Sequence, residues 1–351
     1  MASEKLLRYL TTLNDAEKIY KEYNEIKDEP KKAEQFINAL TPEQRVLVML
    51  PPKKATFEAP VEYSEADYLG DYYFNESERR SVYIWNIYRY APPVIHRHDF
   101  FEMMYVAKGQ CEHTVNGEKT VMTEGTFCLF SPAFTHSVYV GDDESLVIQC
   151  FVRKSAIENT FFELISRHDV LASFLINSLY VVNYANYLEF QTQGDESIKE
   201  QLLQLYEEEH YRDEFTGSIV NGMFMTFLLR LIRNYGSTIK SQSDIASDPT
   251  VMKLYHILIE KYDRITLPEL AKELNYSTQY CSSFIKKTVG LTFSQLLRTI
   301  RMQKAKRLLT TTSMSVAQVG LQVGYEYPES FIRSFRKEVG ISPSEYKATQ
   351  R

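Results

Sequence analysis

Residues 266–289 decide the fold of the C-terminal region, and they read TLPELAKEL over 266–274, NYS over 275–277 and TQYCSSFIKKTV over 278–289. Thr266 with Glu269 three residues later has the spacing of a helix-capping box, and Ser277 is a second residue of the N-cap type. Apolar residues of the first stretch recur at i, i+3, i+4 and i+7, which gives a short helix one buried face: Leu267, Leu270, Ala271 and Leu274. The stretch therefore predicts two short helices joined by a turn, a helix-turn-helix.

The second helix of this pair has an outward face of hydroxyl, amide and ammonium groups. Its members are Thr278, Gln279, Ser282, Ser283, Lys286 and Lys287. Such groups reach base edges and phosphates when a helix lies in the major groove of DNA. The sequence therefore predicts a recognition helix at this position.

The same pattern returns from Ser315, and Pro328 begins the second helix of the second pair. The predicted outward residues are Glu329, Ser330, Ile332, Arg333, Arg336 and Lys337, and all of them except Ile332 are predicted to contact DNA. Between the pairs, residues 292–309 read as one helix of 18 residues, which spans about 27 Å. That length is close to the ~34 Å turn of DNA between successive major-groove faces. Two recognition helices held this far apart can read one face of one duplex.

Charge separates this interpretation from a helical bundle without a nucleic-acid role. Residues 250–351 contain 16 Lys and Arg against 8 Asp and Glu, whereas the whole chain has a net charge of -6. Residues 1–249 therefore have a net charge of -14. A basic C-terminal region on an acidic body is typical of a DNA-binding module joined to a domain that does not bind DNA.

Several segments, in order, resemble the DNA-binding domain of the AraC family of bacterial transcription regulators. They are Leu270-Ala271 with Tyr276-Ser277, Phe284–Lys287 with Gly290, Arg301 with Ala305 and Leu308-Leu309, Val323-Gly324-Tyr325, Phe331 with Phe335–Lys337, and Gly340–Pro343 with Tyr346. The resemblance covers roughly the last 100 positions. It implies that the partner is double-stranded DNA.

From Ser81 to Val152 the chain is rich in short β-type runs, and turn signals such as Asn116-Gly117 separate them. This stretch contains two segments that resemble the two motifs of the cupin barrel. They are His96-x-His98-x3-Glu102 and the later Gly125-x6-Pro132-x3-His136. Alternation along a strand puts His98 and Glu102 on one face. These side chains can therefore converge with His96 and His136 inside a barrel.

The chemistry of these four residues is compatible with two kinds of ligand. Imidazole and carboxylate groups suit Fe, Mn, Ni or Zn, so a divalent metal held by His96, His98, Glu102 and His136 is one prediction. AraC-type regulators commonly use the same positions for a small organic effector, and the resemblance therefore favours a sugar-like molecule bound by the same four residues.

The remaining segments complete a multidomain α+β prediction. Residues 1–80 read as a helical N-terminal extension, 81–154 as a cupin-like sensing barrel and 155–240 as helices. By resemblance, those helices form a homodimer contact. Residues 241–249 are predicted to be a linker, and 250–351 the double helix-turn-helix domain.

The sequence predicts a cytoplasmic protein with no membrane span, because no apolar stretch approaches the ~20 residues that a transmembrane helix needs. Its four cysteines show no metal-ligand or redox spacing, which favours reduced thiols. Together, the resemblances to the AraC family and to the cupin barrel imply a ligand-responsive transcription regulator and no enzyme. Two alternatives remain: a cupin metalloenzyme fused to a DNA-binding domain, and a DNA-binding scaffold with a filled barrel, closed by Phe100, Met104, Phe127 and Phe130.

Overall fold

The computed structural model describes residues 2–48, 61–62, 81–154, 156–157, 170–180, 184–211, 213–241 and 249–349. The chain divides into two compact units. The first comprises residues 1–156 and 184–243, and the second comprises 157–183 and 244–351. Most of the predicted linker, at 242–248, lies outside the described residues.

Four helices open the first unit, as predicted for the extension: α1 Ala2–Thr11, α2 Asp15–Ile26, α3 Pro30–Ala39 and α4 Pro42–Leu47. Capping boxes at Asn14 and Thr41 begin α2 and α4. The Arg89 guanidinium ties these helices to the sheet domain through a fully buried pair with Glu17, whose Nη2–Oε2 distance is 2.8 Å. The extension is therefore packed as part of the first unit.

Two facing sheets follow the helices. The strands are β1 Val61–Glu62, β2 Val82–Asn86, β3 Val94–Ile95, β4 Phe101–Lys108, β5 Gln110–Val115, β6 Glu118–Thr123, β7 Thr126–Phe130, β8 Ser137–Tyr139, β9 Leu146–Val152, β10 Tyr187–Gln191 and β11 Lys240–Ser241. The larger sheet has the order β11-β10-β7-β4-β9-β2, the smaller one β6-β5-β8, and β1 pairs with β3. The predicted hairpin at Asn116-Gly117 joins β5 to β6, with both residues at positive φ.

An apolar cluster fills the space between the sheets. Met104 and Phe130 from the larger sheet and Cys111 and Met122 from the smaller one belong to it. Phe127, by contrast, lies 5.7 Å, between ring centroids, from Phe227 of a helix that covers the sheet's other face. Of the four bulky residues expected to close the barrel, Met104 and Phe130 are therefore in this cluster, while Phe100 packs against Phe151.

Residues 155–240 are not all helical, and this part of the prediction was wrong. Helices α5 Val170–Tyr180, α6 Glu196–Glu209 and α7 Thr216–Tyr235 are present, but Tyr187–Gln191 forms a strand paired with β7. The strand alternates, with Leu188 and Phe190 buried, and a period of two places both on one face.

The second unit is helical. It contains α5, α8 Pro249–Lys261, α9 Leu267–Glu273, α10 Thr278–Val289, α11 Phe293–Thr311, α12 Val316–Gln322, α13 Pro328–Val339 and α14 Pro343–Thr349. One core includes Leu254, Leu270, Ile285 and Ile300, and Ile176 of α5 joins it. A separate core includes Met302, Leu309, Val319, Phe331 and Phe335. A fragment of residues 250–351 would therefore lack α5 and the contribution of Ile176 to the first core.

All four cysteines are buried and free of disulfides. Among the described residues, no helix combines the length and the apolar character that crossing a bilayer requires.

Candidate functional site

The first recognition helix is α10, and its start and end are fixed by the sequence. The hydroxyl of Ser277 accepts a hydrogen bond from the Tyr280 N–H at 3.2 Å, and Gly290 ends the helix in the left-handed conformation. Its inner face buries Cys281, Ile285 and Val289. The predicted outward residues are exposed, apart from Ser282, which is half-buried: Thr278, Gln279, Ser283, Lys286 and Lys287.

Two details of this helix were not predicted. The Lys286 ammonium donates to the Gly290 carbonyl at 2.8 Å, so it also caps its own helix. Tyr280, which the sequence interpretation left out, is 56% exposed beside the predicted residues. The aromatic ring adds an apolar group that can contact a thymine methyl or a sugar.

The second recognition helix is α13. Phe331 and Phe335 are buried, while Glu329, Arg333, Arg336 and Lys337 are exposed and Ser330 is half-buried. Arg333 and Lys337 also line a cleft of about 410 Å³ together with Ser294 and Arg298 of α11. Arg298 is therefore a basic group near the reading surface that the helix-turn-helix pattern alone did not indicate.

Helix α11 connects the two helix-turn-helix pairs, hereafter the reading heads. It contains 19 residues and begins at a capping box between Thr292 and Gln295, so it spans about 28 Å. This agrees with the predicted length of the connecting helix.

A second polar site lies between the sheets of the first unit. The four predicted residues His96, His98, Glu102 and His136, hereafter the His–Glu cluster, converge there. Nε2 of each imidazole approaches the Glu102 Oε2, at 3.6 Å from His96, 3.3 Å from His98 and 3.0 Å from His136. The His96 and His136 backbones are also bridged to each other. One carboxylate oxygen therefore faces three imidazoles.

Three further residues belong to this site and were missed. Gln149 donates from Nε2 to the other Glu102 oxygen, and the Trp85 indole N–H donates to the Gln149 side-chain oxygen. His113 Nε2 lies 3.0 Å from His136 Nδ1. His113 lies outside the two cupin-like motifs, so their spacing did not indicate it. Its alternation with buried Cys111 and Val115 in β5 was the signal that it faces inward.

Burial and charge set the protonation of the cluster. Burial alone would raise the pKa of Glu102, but the charge and hydrogen bond of His136, with further bonds from His96 and His98, hold this pKa well below its usual range. Burial lowers the pKa of His136 despite Glu102. Burial also lowers the pKa of His113, to about 3, and the charge of His136 adds to this effect. The carboxylate is therefore ionised, while burial favours the neutral forms of His136 and His113.

Hydrogen-bond partners then assign the tautomers. His136 carries its proton on Nε2, which faces the carboxylate, and its Nδ1 accepts from the Nε2–H of His113. Burial opposes protonation of His96, but the hydrogen bond and charge of Glu102 outweigh it and raise the pKa of His96. With its side chain 13% exposed, His96 is the most accessible member of the cluster.

The donor set also fits a metal ion. His96, His98 and Glu102 offer three ligand atoms that all lie within 4.8 Å of one another. Donors around a tetrahedral ion at about 2.0–2.1 Å would lie about 3.3 Å apart. The Nε2–Oε2 distances of 3.6 Å from His96 and 3.3 Å from His98 to Glu102 are close to this separation.

Comparison with known proteins finds a match to two domain families. The model of the AraC-like ligand binding domain matches residues 83–166, and a helix-turn-helix domain model matches residues 270–349. These two ranges contain the His–Glu cluster and both recognition helices.

Two relatives show how far the similarity extends. The uncharacterized HTH-type transcriptional regulator YtdP of Bacillus subtilis is 35% identical over 99 residues, which are 28% of this chain and only 13% of that protein. The HTH-type transcriptional activator RhaR of Mannheimia succiniciproducens is 23% identical over 262 residues, 74% of this chain and 89% of that protein. Among solved structures, the C-terminal domain of the response regulator yesN from Fusobacterium nucleatum is 34% identical, with a TM-score of 0.28, and covers 28% of this chain and 99% of that one.

Proposed function

The chain belongs to the AraC family of transcription regulators, and on that premise we propose that it reads two neighbouring major-groove faces of DNA under the control of a small ligand bound at the His–Glu cluster. The observation that carries the DNA-reading role is the pair of exposed polar helices α10 and α13, one in each of the two helix-turn-helix pairs that the 19-residue helix α11 connects. The positive charge of residues 250–351 supplies sequence-independent attraction to the phosphates.

Substitutions in α13 test this role with DNA selected by the intact chain from a random library. Arg333→Ala should cost about 1 to 3 kcal/mol and relax the preference at one base position, as expected when a base-reading arginine is lost. Lys337→Ala should weaken binding to all sequences alike and reduce the salt slope by about 1, as loss of a phosphate contact does. Lys253→Ala, on α8, is the control.

The readout is binding affinity across salt concentrations, with sequencing of the selected DNA. An intact chain that binds no DNA selectively, even at low salt, would contradict the proposal.

For the ligand, we propose a small sugar-like molecule that meets the cluster on the side of His96. Glu102 already accepts hydrogen bonds at both oxygens, so its role is to orient the imidazoles. His96 and His98 supply the polar contacts, and the half-buried Trp85 and buried Phe100 supply aromatic faces beside them. Polar groups next to aromatic rings suit a ligand with hydroxyl groups and an apolar face.

A divalent metal is the second candidate, supported by the three ligand atoms that His96, His98 and Glu102 offer within 4.8 Å of one another. Such an ion would link the segment before β4 to Glu102 in β4. Under either ligand, the proposed output is a change in DNA affinity and involves no turnover.

We also propose a homodimer, with its interface on α7. Phe227 and Leu231 of this helix are apolar but buried within the first unit at 2% and 0% exposure, so they do not face a partner. Ile219 and Leu229 are exposed on the opposite side of the helix. The proposed contact therefore uses this outer face.

The double variant Ile219→Glu/Leu229→Glu should sediment as a folded monomer, because burying unpaired charge in an apolar contact is costly. Gln204→Glu, on the exposed side of α6, adds charge elsewhere and should leave the dimer intact. A dimer that survives both glutamates on α7 would move the interface to another surface.

A further inference from the structure

Arg301 lies at the boundary between the two cores of the second unit. On α11, Ile300 belongs to the first core and Met302 to the second. The guanidinium makes three contacts. They reach both halves of the unit, where the first half contains the first core and the second half contains the second core. Its Nε donates to the Tyr262 carbonyl at 2.8 Å, and its Nη2 donates to the Asp263 carbonyl at 3.1 Å. Both carbonyls belong to the loop after α8, in the first half.

The third contact reaches the second half. The Arg301 guanidinium carbon lies 5.7 Å from the ring centre of Tyr325, in the turn of the second helix-turn-helix. The Tyr325 hydroxyl donates to Ser334 Oγ at 2.8 Å. Because Ser334 lies on α13, a continuous set of contacts runs from the α8 loop through Arg301 to the second recognition helix.

Gly324 makes the approach of the two halves possible. It has a φ of +85°, and a Cβ at this position would lie 2.1 Å from the Asp263 carbonyl oxygen and 2.7 Å from Arg301 Nη2. The turn of the second half therefore contacts the backbone of the first half directly. This contact, hereafter the joint, also includes the Arg301 guanidinium.

We propose that Arg301 is a positioning residue which fixes the angle between α10 and α13, and so determines the spacing of the two DNA boxes that the protein accepts. B-DNA has about 10–10.5 base pairs per turn, so each added base pair rotates the second box by about 35°. A rigid joint cannot follow that rotation, whereas a loosened joint can. This inference rests on the proposed two-headed reading of DNA.

The experiment measures binding of the full-length chain to selected DNA with its native spacing, with one base pair inserted or removed between the boxes, and with a single box. Wild type should lose at least about tenfold in affinity when the spacing changes by one base pair, a penalty of about 1.4 kcal/mol. Arg301→Met should bind the native spacing more weakly, and its penalty for the altered spacing should fall below about threefold. Its single-box affinity should remain close to that of wild type.

Two further variants separate position from charge. Arg301→Lys keeps the charge but lacks the planar fork that bonds two carbonyls and stacks on a ring, so it should lose spacing selectivity as Arg301→Met does. Lys306→Met, on the same helix, removes one charge without touching the Arg301 contacts and should keep the wild-type selectivity.

The outcomes are distinguishable. If Arg301→Met and Arg301→Lys bind a single box normally and retain the wild-type spacing penalty, the role of Arg301 is wrong. If the wild type binds two boxes no more tightly than one, the two-headed reading itself fails. Loss of single-box binding in both variants would also overturn the proposal, because Arg301 would then be needed for the fold of a head and not for the angle between heads.

Discussion

Glu102 is the buried charge on which the His–Glu cluster depends. Its two oxygens accept hydrogen bonds from His136 and Gln149, and His96 and His98 face it from the motif before β4. A neutral amide at this position would present an N–H group to neighbours that are themselves donors. The carboxylate therefore orients the imidazoles, and its loss should disturb the geometry as well as the charge.

Glu102→Gln should lower the free energy of unfolding of the sensor by about 1 to 3 kcal/mol, the cost of leaving buried polar groups unsatisfied. Glu112→Gln is the matched control, because Glu112 pairs with Lys119 near the surface and should cost less than about 1 kcal/mol. Urea unfolding followed by the fluorescence of Trp85, the single tryptophan, reports on the site. Equal stability of the two variants would show that Glu102 does not organise the cluster.

The sequence predicted the four cluster residues but not their neighbours, for a physical reason. His96, His98, Glu102 and His136 lie in a motif with fixed spacing. Gln149 and His113 reach the site through pairing of β9 with β4 and through the opposite sheet. Such contacts depend on register, which a local pattern does not specify.

At the scale of elements, the Arg89–Glu17 pair holds α1 and α2 on the sheet domain. Arg89 also donates from Nη1 to the carbonyls of Thr11 and Asp143 at 2.9 and 2.8 Å, while Glu17 Oε2 accepts from the Asn14 N–H at 2.9 Å. Both charges are therefore saturated with hydrogen bonds in a site without solvent. Removal of one partner would leave the other charge buried.

Arg89→Met should destabilise the first unit by about 3 to 5 kcal/mol, the usual cost of breaking a buried ion pair from one side. Lys21→Met is the control at the same junction, because Lys21 pairs with Asp143 at 2.6 Å with both side chains partly exposed. That exposed pair should contribute less than about 1 kcal/mol. Chemical unfolding of the two variants checks the difference, and similar values would contradict a central role for the buried pair.

Elements with strong local signals were predicted well. The capping box at Thr266 was predicted directly from spacing, and the helix that follows Ser315 was predicted from the return of the same pattern. Strand β10 was missed because it lies between helical segments and is stabilised by pairing with β7, far away in the sequence. The close approach at Gly324 likewise depends on a distant carbonyl, that of Asp263.

At the scale of the whole molecule, the C-terminal region differs in charge from the rest of the chain, and the chain passes between the two units more than once. The basic C-terminal region contains both helix-turn-helix pairs, and the acidic remainder contains the His–Glu cluster. The chain passes from the first unit to the second at residue 157, returns at 184 and passes again at 244. Helix α5, from the middle segment, contributes Ile176 to the core beneath the first reading head. The chain therefore connects the two units at three places, and the predicted linker is one of them.

The most direct test of ligand-controlled DNA reading is the affinity of the intact chain for its selected DNA across ligand titrations. The probes are free pentoses, hexoses and disaccharides, and separately Zn²⁺, Mn²⁺, Ni²⁺ and Fe²⁺, with wild type, Glu112→Gln and Glu102→Gln. At least one probe should shift the wild-type and Glu112→Gln affinity by about 5- to 150-fold, the usual range of coupling. Glu102→Gln should bind the DNA without ligand as wild type does but show no shift. A wild type that responds to none of these probes, or a folded Glu102→Gln that responds equally, would contradict control through the His–Glu cluster.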